Sequence, residues 1–210
     1  MAKGLRIEHA RLALEGETLL SLDASVPPGE VLTVMGPSGS GKSTLLAYLT
    51  GTLPPAFRAE GRILLNGRDV TNLPTERRRI GILFQDDLLF PHLSVAGNLA
   101  FGLPRGRPAD RKARIDHALS EIGLAGYGPR DPATLSGGQR ARIALMRTLL
   151  AEPEALLLDE PFSRLDAERR TRTRDMVFRV ARQLALPVVL VTHDASDAAA
   201  AGGTCVRIGN

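Results

Sequence analysis

An α/β fold with a mostly parallel sheet is predicted by three features of this 210-residue sequence. Unbroken apolar runs at Val31–Met35, Ala155–Leu158 and Pro187–Val191 have the composition of strands buried on both faces. The last two are separated by a long, arginine-studded helical segment, Asp166–Leu184, which gives a strand–helix–strand order. The first leads into a glycine-rich turn followed by an apolar helix through Thr50.

The remaining elements follow in order. Leu5–Arg11 and Leu19–Val26 read as strands, the second with alternating apolar residues, and Pro27-Pro28-Gly29 turns the chain into Val31–Met35. Gly61–Leu65 and the Asn66-Gly67 turn predict a hairpin, and Ile80–Phe84 a short buried strand. Ser94 is placed to cap a helix through Phe101, and Pro108–Ile122 is a polar amphipathic helix. After Ser136 a further helix carries Ile143, Ala144, Leu145 and Leu149 on one apolar face. The stretch 86–151 therefore reads as a mostly helical insertion. Thr204–Ile208 is a last strand, and no internal repeat is visible.

This length suits one domain, with or without a small inserted subdomain. Such a chain buries roughly 70% of its unfolded surface, so it needs no disulfide staples. The 43% hydrophobic share together with 21 glycines is that of a globular protein and excludes a fibrous or disordered one. A lone Cys205 excludes a disulfide framework or a Cys-based metal site and fits a reducing compartment. No apolar run approaches the ~18–20 residues that cross a bilayer. The start, MAKGLRIEHARLAL, alternates charged and aliphatic residues and does not read as a signal peptide. A cytoplasmic protein is expected.

A net charge of +4 and a pI near 9.8 could indicate nucleic acid or an anionic surface. Yet Asp and Glu number 23, the longest basic run is Arg77-Arg78-Arg79, and aromatics are only 4%. That leaves little material for stacking bases, so the favoured reading is a solvated basic surface with no nucleic-acid partner. The type of cation is more telling. All of the 27 basic residues are arginine except Lys3, Lys42 and Lys112.

Lys42 sits in Gly36-Pro37-Ser38-Gly39-Ser40-Gly41-Lys42-Ser43-Thr44, which matches G-x-x-x-x-G-K-[ST] between a strand and a helix. Glycines let successive backbone N–H groups curl around the β- and γ-phosphates of a nucleotide, and the helix start adds its positive end. Lys42 puts a compact ammonium on those oxygens, and Ser43 offers a hydroxyl to Mg²⁺. A chance glycine-rich turn is the competing reading, and the strand–loop–helix setting argues against it. The strand Ala155–Leu158 ends in Asp159-Glu160, at the strand end where parallel sheets bind ligands. Asp159 can hold Mg²⁺ through water, and Glu160 can orient and deprotonate an attacking water. His193 follows Val188–Val191 at the same sheet edge, where a neutral imidazole can hold a γ-phosphate. A simple capping histidine is the alternative.

Leu135-Ser136-Gly137-Gly138-Gln139 opens a helix with a hydroxyl and free N–H groups, either a second anion nest or an ordinary N-cap. With GPSGSGKS at 36–43, Gln85, LSGGQ at 135–139, LLLDEP at 156–161, SRLD at 163–166 and His193 in VTHD, in this order, the chain resembles the ATP-binding cassette (ABC) ATPases of ABC transporters along essentially its whole length. The resemblance implies a P-loop NTPase core with an N-terminal antiparallel β subdomain, formed by 1–85 and 152–210, and an inserted helical signature subdomain, 86–151, in a single domain. It implies ATP and Mg²⁺, and a head-to-tail homodimer that sandwiches two ATP between the phosphate loop of one subunit and Ser136, Gly137, Gly138 and Gln139 of the other. Gln85 then senses Mg²⁺ and water, Asp166 lies in the dimer-contact loop, and His193 touches the γ-phosphate.

Two departures stand out. The family usually carries an aromatic residue upstream of the phosphate loop to stack on adenine, and here Leu12-Ala13-Leu14 fills that region, with Arg11 or His9 as substitutes. Weak base discrimination is therefore expected. The dimer loop reads SRLD where SALD is usual, so Arg164 brings a cation to it.

The segment Gln85–Val95 resembles the groove that receives a permease helix in importers, with Leu88, Leu89 and Phe90 as apolar contacts. The alternative is that these three pack the insertion's own core. The motifs are most similar to small bacterial importer ATPases of the thiamine and iron-type group, including an uncharacterised branch. That implies separate membrane permease subunits, an external substrate-binding protein and a peripheral place on the inner face of the cell membrane. With the sequence ending at Asn210, soon after His193, no regulatory domain of the kind some importer subunits carry is expected. Alternative readings are an exporter or lipoprotein-release ATPase, a soluble ABC ATPase acting on nucleic acid or ribosomes, and, more weakly, a P-loop kinase.

Overall fold

The computed structural model describes residues 3–209, which divide into two compact units. One holds the described residues up to Ile82, Glu154–Glu160 and those from Asp175 onward; the other holds Leu83–Pro153 and Pro161–Arg174.

The chain begins β1 (Leu5–Leu14), β2 (Glu17–Val26), β3 (Val31–Met35), α1 (Lys42–Thr50), β4 (Phe57–Leu65), β5 (Arg68–Asp69), the helical turn α2 (Thr75–Arg78) and β6 (Ile80–Leu83). It continues with α3 (Val95–Gly102), α4 (Pro108–Glu121), a 3₁₀ turn (Pro132–Thr134), α5 (Gly137–Leu150), β7 (Ala155–Asp159), α6 (Ala167–Gln183), β8 (Val188–Thr192), α7 (Ala195–Ala201) and β9 (Thr204–Arg207).

Strands β2, β1, β4 and β5 form an antiparallel sheet in that order. In β1 the inward set is Leu5, Ile7, Ala10 and Leu12, all buried. Its two-residue period breaks once, after Ile7, where the pairing register shifts and His9 takes a φ of 50°. A bulge there absorbs the extra residue and returns the apolar side chains to the core face. The strand extends past the expected end at Arg11 because Glu15 and Gly16, both at positive φ, form a two-residue turn into β2.

The second sheet is α/β, as expected, with strand order β6-β7-β8-β3-β9. The β7/β8, β8/β3 and β3/β9 pairs are parallel, with Asp159 beside Val191 and Met35 beside Thr192. Because the strands run together, the segments leaving β3, β7 and β8 emerge at one edge of the sheet. Leu156–Leu158 and Val188–Val191 are fully buried. Each such side chain contributes roughly 1.5–3 kcal/mol by leaving water. That explains why these runs carry no alternation.

Two helices were not anticipated. The turn α2 makes the middle residue of Arg77-Arg78-Arg79 a buried group, against the expectation of a solvated basic run. Helix α7 is a run of alanines started by Asp194, whose carboxylate accepts from Ser196 N at 2.7 Å.

In the second unit, Ser94 Oγ caps α3 by accepting from Gly97 N at 3.1 Å. Asn98 is fully buried and bonds Phe90 N and the carbonyls of Phe90, Leu93 and Ser94, which fixes the turn before α3. The unit takes in 161–174 as well as the single stretch 86–151 marked out in the sequence, since Arg164 pairs with Asp86 and Leu165 lies beside Gly137. Among the described residues no helix is long and apolar enough to cross a membrane.

Candidate active site

The loop from β3 to α1 is shaped by its glycines. A Cβ on Gly36 would lie 2.6 Å from the Ile208 carbonyl oxygen, so only glycine lets the loop turn there. Gly41 enters α1 at a φ of 88° with no side chain capping the helix. The first amide groups of a nine-residue helix thus lack a side-chain acceptor, the condition for anion binding at a helix start.

Lys42 is only 7% exposed, and its ammonium donates to the Gly36 and Pro37 carbonyls at 2.8 and 2.6 Å. The cation therefore spans the loop and holds its shape. The buried Ser40 Oγ, in the same loop, has no hydrogen-bond partner. At the far end of α1, Arg78 donates from Nη1 to the carbonyls of Tyr48 and Leu49 at 2.7 and 3.0 Å. Its Nε and Nη2 bond Leu73 O and Thr71 O. Burial lowers its pKa. A cation at a helix C-terminus complements the dipole. Nothing in a run of three arginines tells which one turns inward, so the sequence reading missed this residue.

A cleft of about 570 Å³ is lined by Ser38, Gly39, Gly41, Lys42, Ser43, Thr44, Glu160 and His193. Parallel register brings these groups from three strand ends to one edge. Glu160 has a φ of 45°, a left-handed backbone that is costly for a residue with a Cβ, and its N–H donates to Val191 O at 2.9 Å. His193 Nδ1 lies 3.1 Å from Glu160 Oε1, which leaves Nε2 for a ligand. Burial, reinforced by the Glu160 charge and opposed by Lys42, raises the pKa of Asp159. Ser43 offers the cleft a hydroxyl, and Asp159, which ends β7 one residue before Glu160, carries a carboxylate; both are oxygen donors of the kind a divalent cation takes. Among the described residues no cluster of three His, Cys, Asp or Glu could cage a metal by itself.

The other sequence candidates lie in the second unit. Gln85 is exposed and lines a cleft of about 450 Å³ with Asp86, Asp87, Leu88, Leu89, Gly137, Arg140 and Arg164, among others. Ser136 and Gln139 form a reciprocal capping box: Ser136 Oγ accepts from Gln139 N at 3.4 Å, and Gln139 Oε1 from Ser136 N at 2.9 Å. The S-x-x-Q spacing carries this signal. Gly138 is buried, and Gly137 has open space around its Cβ direction up to 3.8 Å. Asp166 accepts from Arg169 N at 3.0 Å and pairs with its guanidinium. Leu88 and Phe101 are more than half exposed, and the Phe90 ring lies 4.6 Å from Phe101.

The residues upstream of the loop are largely engaged elsewhere. Leu12 is fully buried, Arg11 Nε bonds Thr18 Oγ1 at 2.9 Å, and His9 Nδ1 lies 2.8 Å from Asp23. Ala13 and Leu14 are half-buried.

Comparison with known proteins agrees with this layout. Residues 19–163 match the ABC transporter family. An uncharacterised ABC transporter ATP-binding protein of Escherichia coli, YnjD, is 50% identical over 92% of this chain and 90% of its own length. A sulfate/thiosulfate import ATP-binding protein, CysA, of Mycobacterium bovis is 49% identical over 84% of this chain. An Fe(3+) ions import ATP-binding protein, FbpC, of Brucella abortus is 43% identical over 90% of it. The chain spans about half the length of these two, 50% and 53%. With a glycine-shaped phosphate loop, an acidic strand end and a family match across the signature helix, the chain belongs to the ABC transporter family as an ATP-binding subunit, and that family hydrolyses ATP.

Proposed function

We propose that this chain is the ATPase of an importer, working as a head-to-tail homodimer with two ATP at its interface. The shared cleft of Lys42, Ser43, Glu160 and His193 is the observation that carries the reading. The Gly36–Gly41 amides and the start of α1 receive the β- and γ-phosphates, and Lys42 exchanges its carbonyl partners for phosphate oxygens. Ser43 and Asp159 would hold Mg²⁺, with Gln85 sensing it, and the ion would supply neutralisation of the phosphate charge. Glu160 orients a water and takes its proton as the water oxygen attacks the γ-phosphorus and the bond to ADP breaks. His193 holds the γ-phosphate by donating from Nε2, and donating from Nδ1 to Glu160 at the same time takes the imidazolium form rather than the neutral ring. Ser136, Gly137, Gly138 and Gln139 of the second copy close the site from the other side, and Asp166 lies in the contact loop.

Hydrolysis is coupled to separate membrane permease subunits that dock near Leu88, Leu89 and Phe90, which puts the protein on the inner face of the cell membrane. The import functions in the names of CysA and FbpC support the direction of transport. An external substrate-binding protein completes such a system, and no nucleic-acid partner is expected.

The test is capture of tagged Glu160→Gln protein with ATP from gently solubilised membranes, read by mass spectrometry. A polytopic membrane protein with an external binding protein in its complex supports the importer. A permease with no binding protein favours an exporter or lipoprotein-release ATPase, and ribosomal or DNA-bound partners favour a soluble ABC ATPase.

A further inference from the structure

The segment after Gln85 is exposed, strained, and gripped by arginine from three places. Gln85 and Asp86 are exposed, and Leu88 takes a left-handed φ of 45°. Arg147 donates to the carbonyls of Leu88 and Asp87 at 2.8 and 3.3 Å. Arg140, one residue past the signature, bonds the Asp87 carboxylate at 3.3 Å. Arg164, two residues before Asp166, pairs with Asp86. Strand β6 holds the chain up to Leu83, and Arg140 and Arg147 fix Asp87 and Leu88, so the pair with Arg164 is the nearest anchor on the C-terminal side of Gln85. It stands where the family usually carries alanine, which cannot make it.

We infer that Arg164 is a positioning residue for ATP hydrolysis: its ion pair with Asp86 fixes the backbone next to Gln85 and ties the dimer loop to that segment. This rests on the proposed role of Gln85. Without that pair the segment is held only by β6, which ends at Leu83, and from Asp87 onward, which leaves the Gln85 amide to sample orientations that do not address water; this slows the chemical step and leaves ATP binding unchanged. Both partners are more than half exposed, so the effect is modest and sensitive to salt.

The experiment measures steady-state ATP hydrolysis by the whole protein for wild type, Arg164→Ala, Asp86→Asn, the double variant and the charge-swapped pair Arg164→Asp with Asp86→Arg. Each single change is expected to lower kcat about threefold at unchanged KM for ATP. The double should lose no more than either single, and the swapped pair should regain most of the rate. Added salt should slow wild type toward the variants. Additive losses, a changed KM with constant kcat, or variants that match wild type while Gln85→Ala is impaired would each overturn the latch. Wild-type turnover by Gln85→Ala would instead overturn the reading of Gln85 itself. Equal thermal unfolding midpoints across the set show that folding is not the cause.

Discussion

Lys42 is almost wholly buried with its ammonium tied to two backbone carbonyls, whereas Gln85 is exposed beside the Asp86–Arg164 pair and Ser136 is exposed and held by Gln139. The first arrangement is built by a parallel sheet whose register fixes Gly36, Glu160 and His193 relative to one another. The second depends on a capping box and on surface arginines. Groups proposed to meet phosphate are thus set by the backbone, which moves little at small cost. Groups proposed to face a second copy are set by contacts worth about 1 kcal/mol each, which a partner could outcompete.

The sharpest way to break this comparison is at the cleft. Glu160→Gln should lower hydrolysis by about 10²–10⁴-fold while retaining ATP, so that size-exclusion chromatography with ATP finds a stable dimer. Turnover near wild type would remove Glu160 from the chemistry. Lys42→Ala should weaken ATP binding by about 10–100-fold in equilibrium titration, since it deletes a charge-assisted contact and frees the loop it spans. Unchanged affinity would detach the loop from phosphate.

Asp159 offers a test by pH. Its folded pKa is raised, so the folded state binds the proton more tightly, and stability falls as pH rises from the unfolded value of 3.8 through the folded one. Asp159→Asn should therefore melt at a higher temperature than wild type at pH 7 without nucleotide, and the gain should vanish below pH 3.8. A gain that persists in acid would mean that burial of the carboxylate is not the cause. On the other unit, Ser136→Ala should cost about 1 kcal/mol in thermal unfolding, the usual loss of an N-cap, with little change in ATP binding to the single subunit. The smallest expected difference lies between bases. With Leu12 in the core and His9 and Arg11 engaged, GTP should bind within about tenfold of ATP. A strong ATP preference would point to a base contact elsewhere.

Much of the fold was legible for one reason. Strands buried on both faces, such as Leu156–Leu158 and Val188–Val191, have no polar side to blur them, and the glycine-rich loop names its own ends. The strand β1 runs past Arg11 because Ala13 and Leu14 are half-buried residues with no clear alternation, and its end is set by the turn at Glu15 and Gly16. The alanine run of α7 has little amphipathic pattern, so only its Asp194 cap announces it. In the site, the sequence order brings Glu160 and His193 to one sheet edge, but not the 3.1 Å approach of His193 to Glu160 or the inward turn of Arg78. Those depend on packing between segments far apart in sequence. The capping box was present in the sequence as S-x-x-Q and was read only as an anion nest or a plain cap.

Glu160 holds a backbone angle that glycine would adopt freely. A chain selected for durability alone would place glycine there and melt higher, at the loss of the carboxylate beside the phosphate loop. The folded molecule is thus less robust than its sheet allows at a position where the proposed chemistry needs a carboxylate. Stabilising this scaffold by consensus or design should begin anywhere but residue 160.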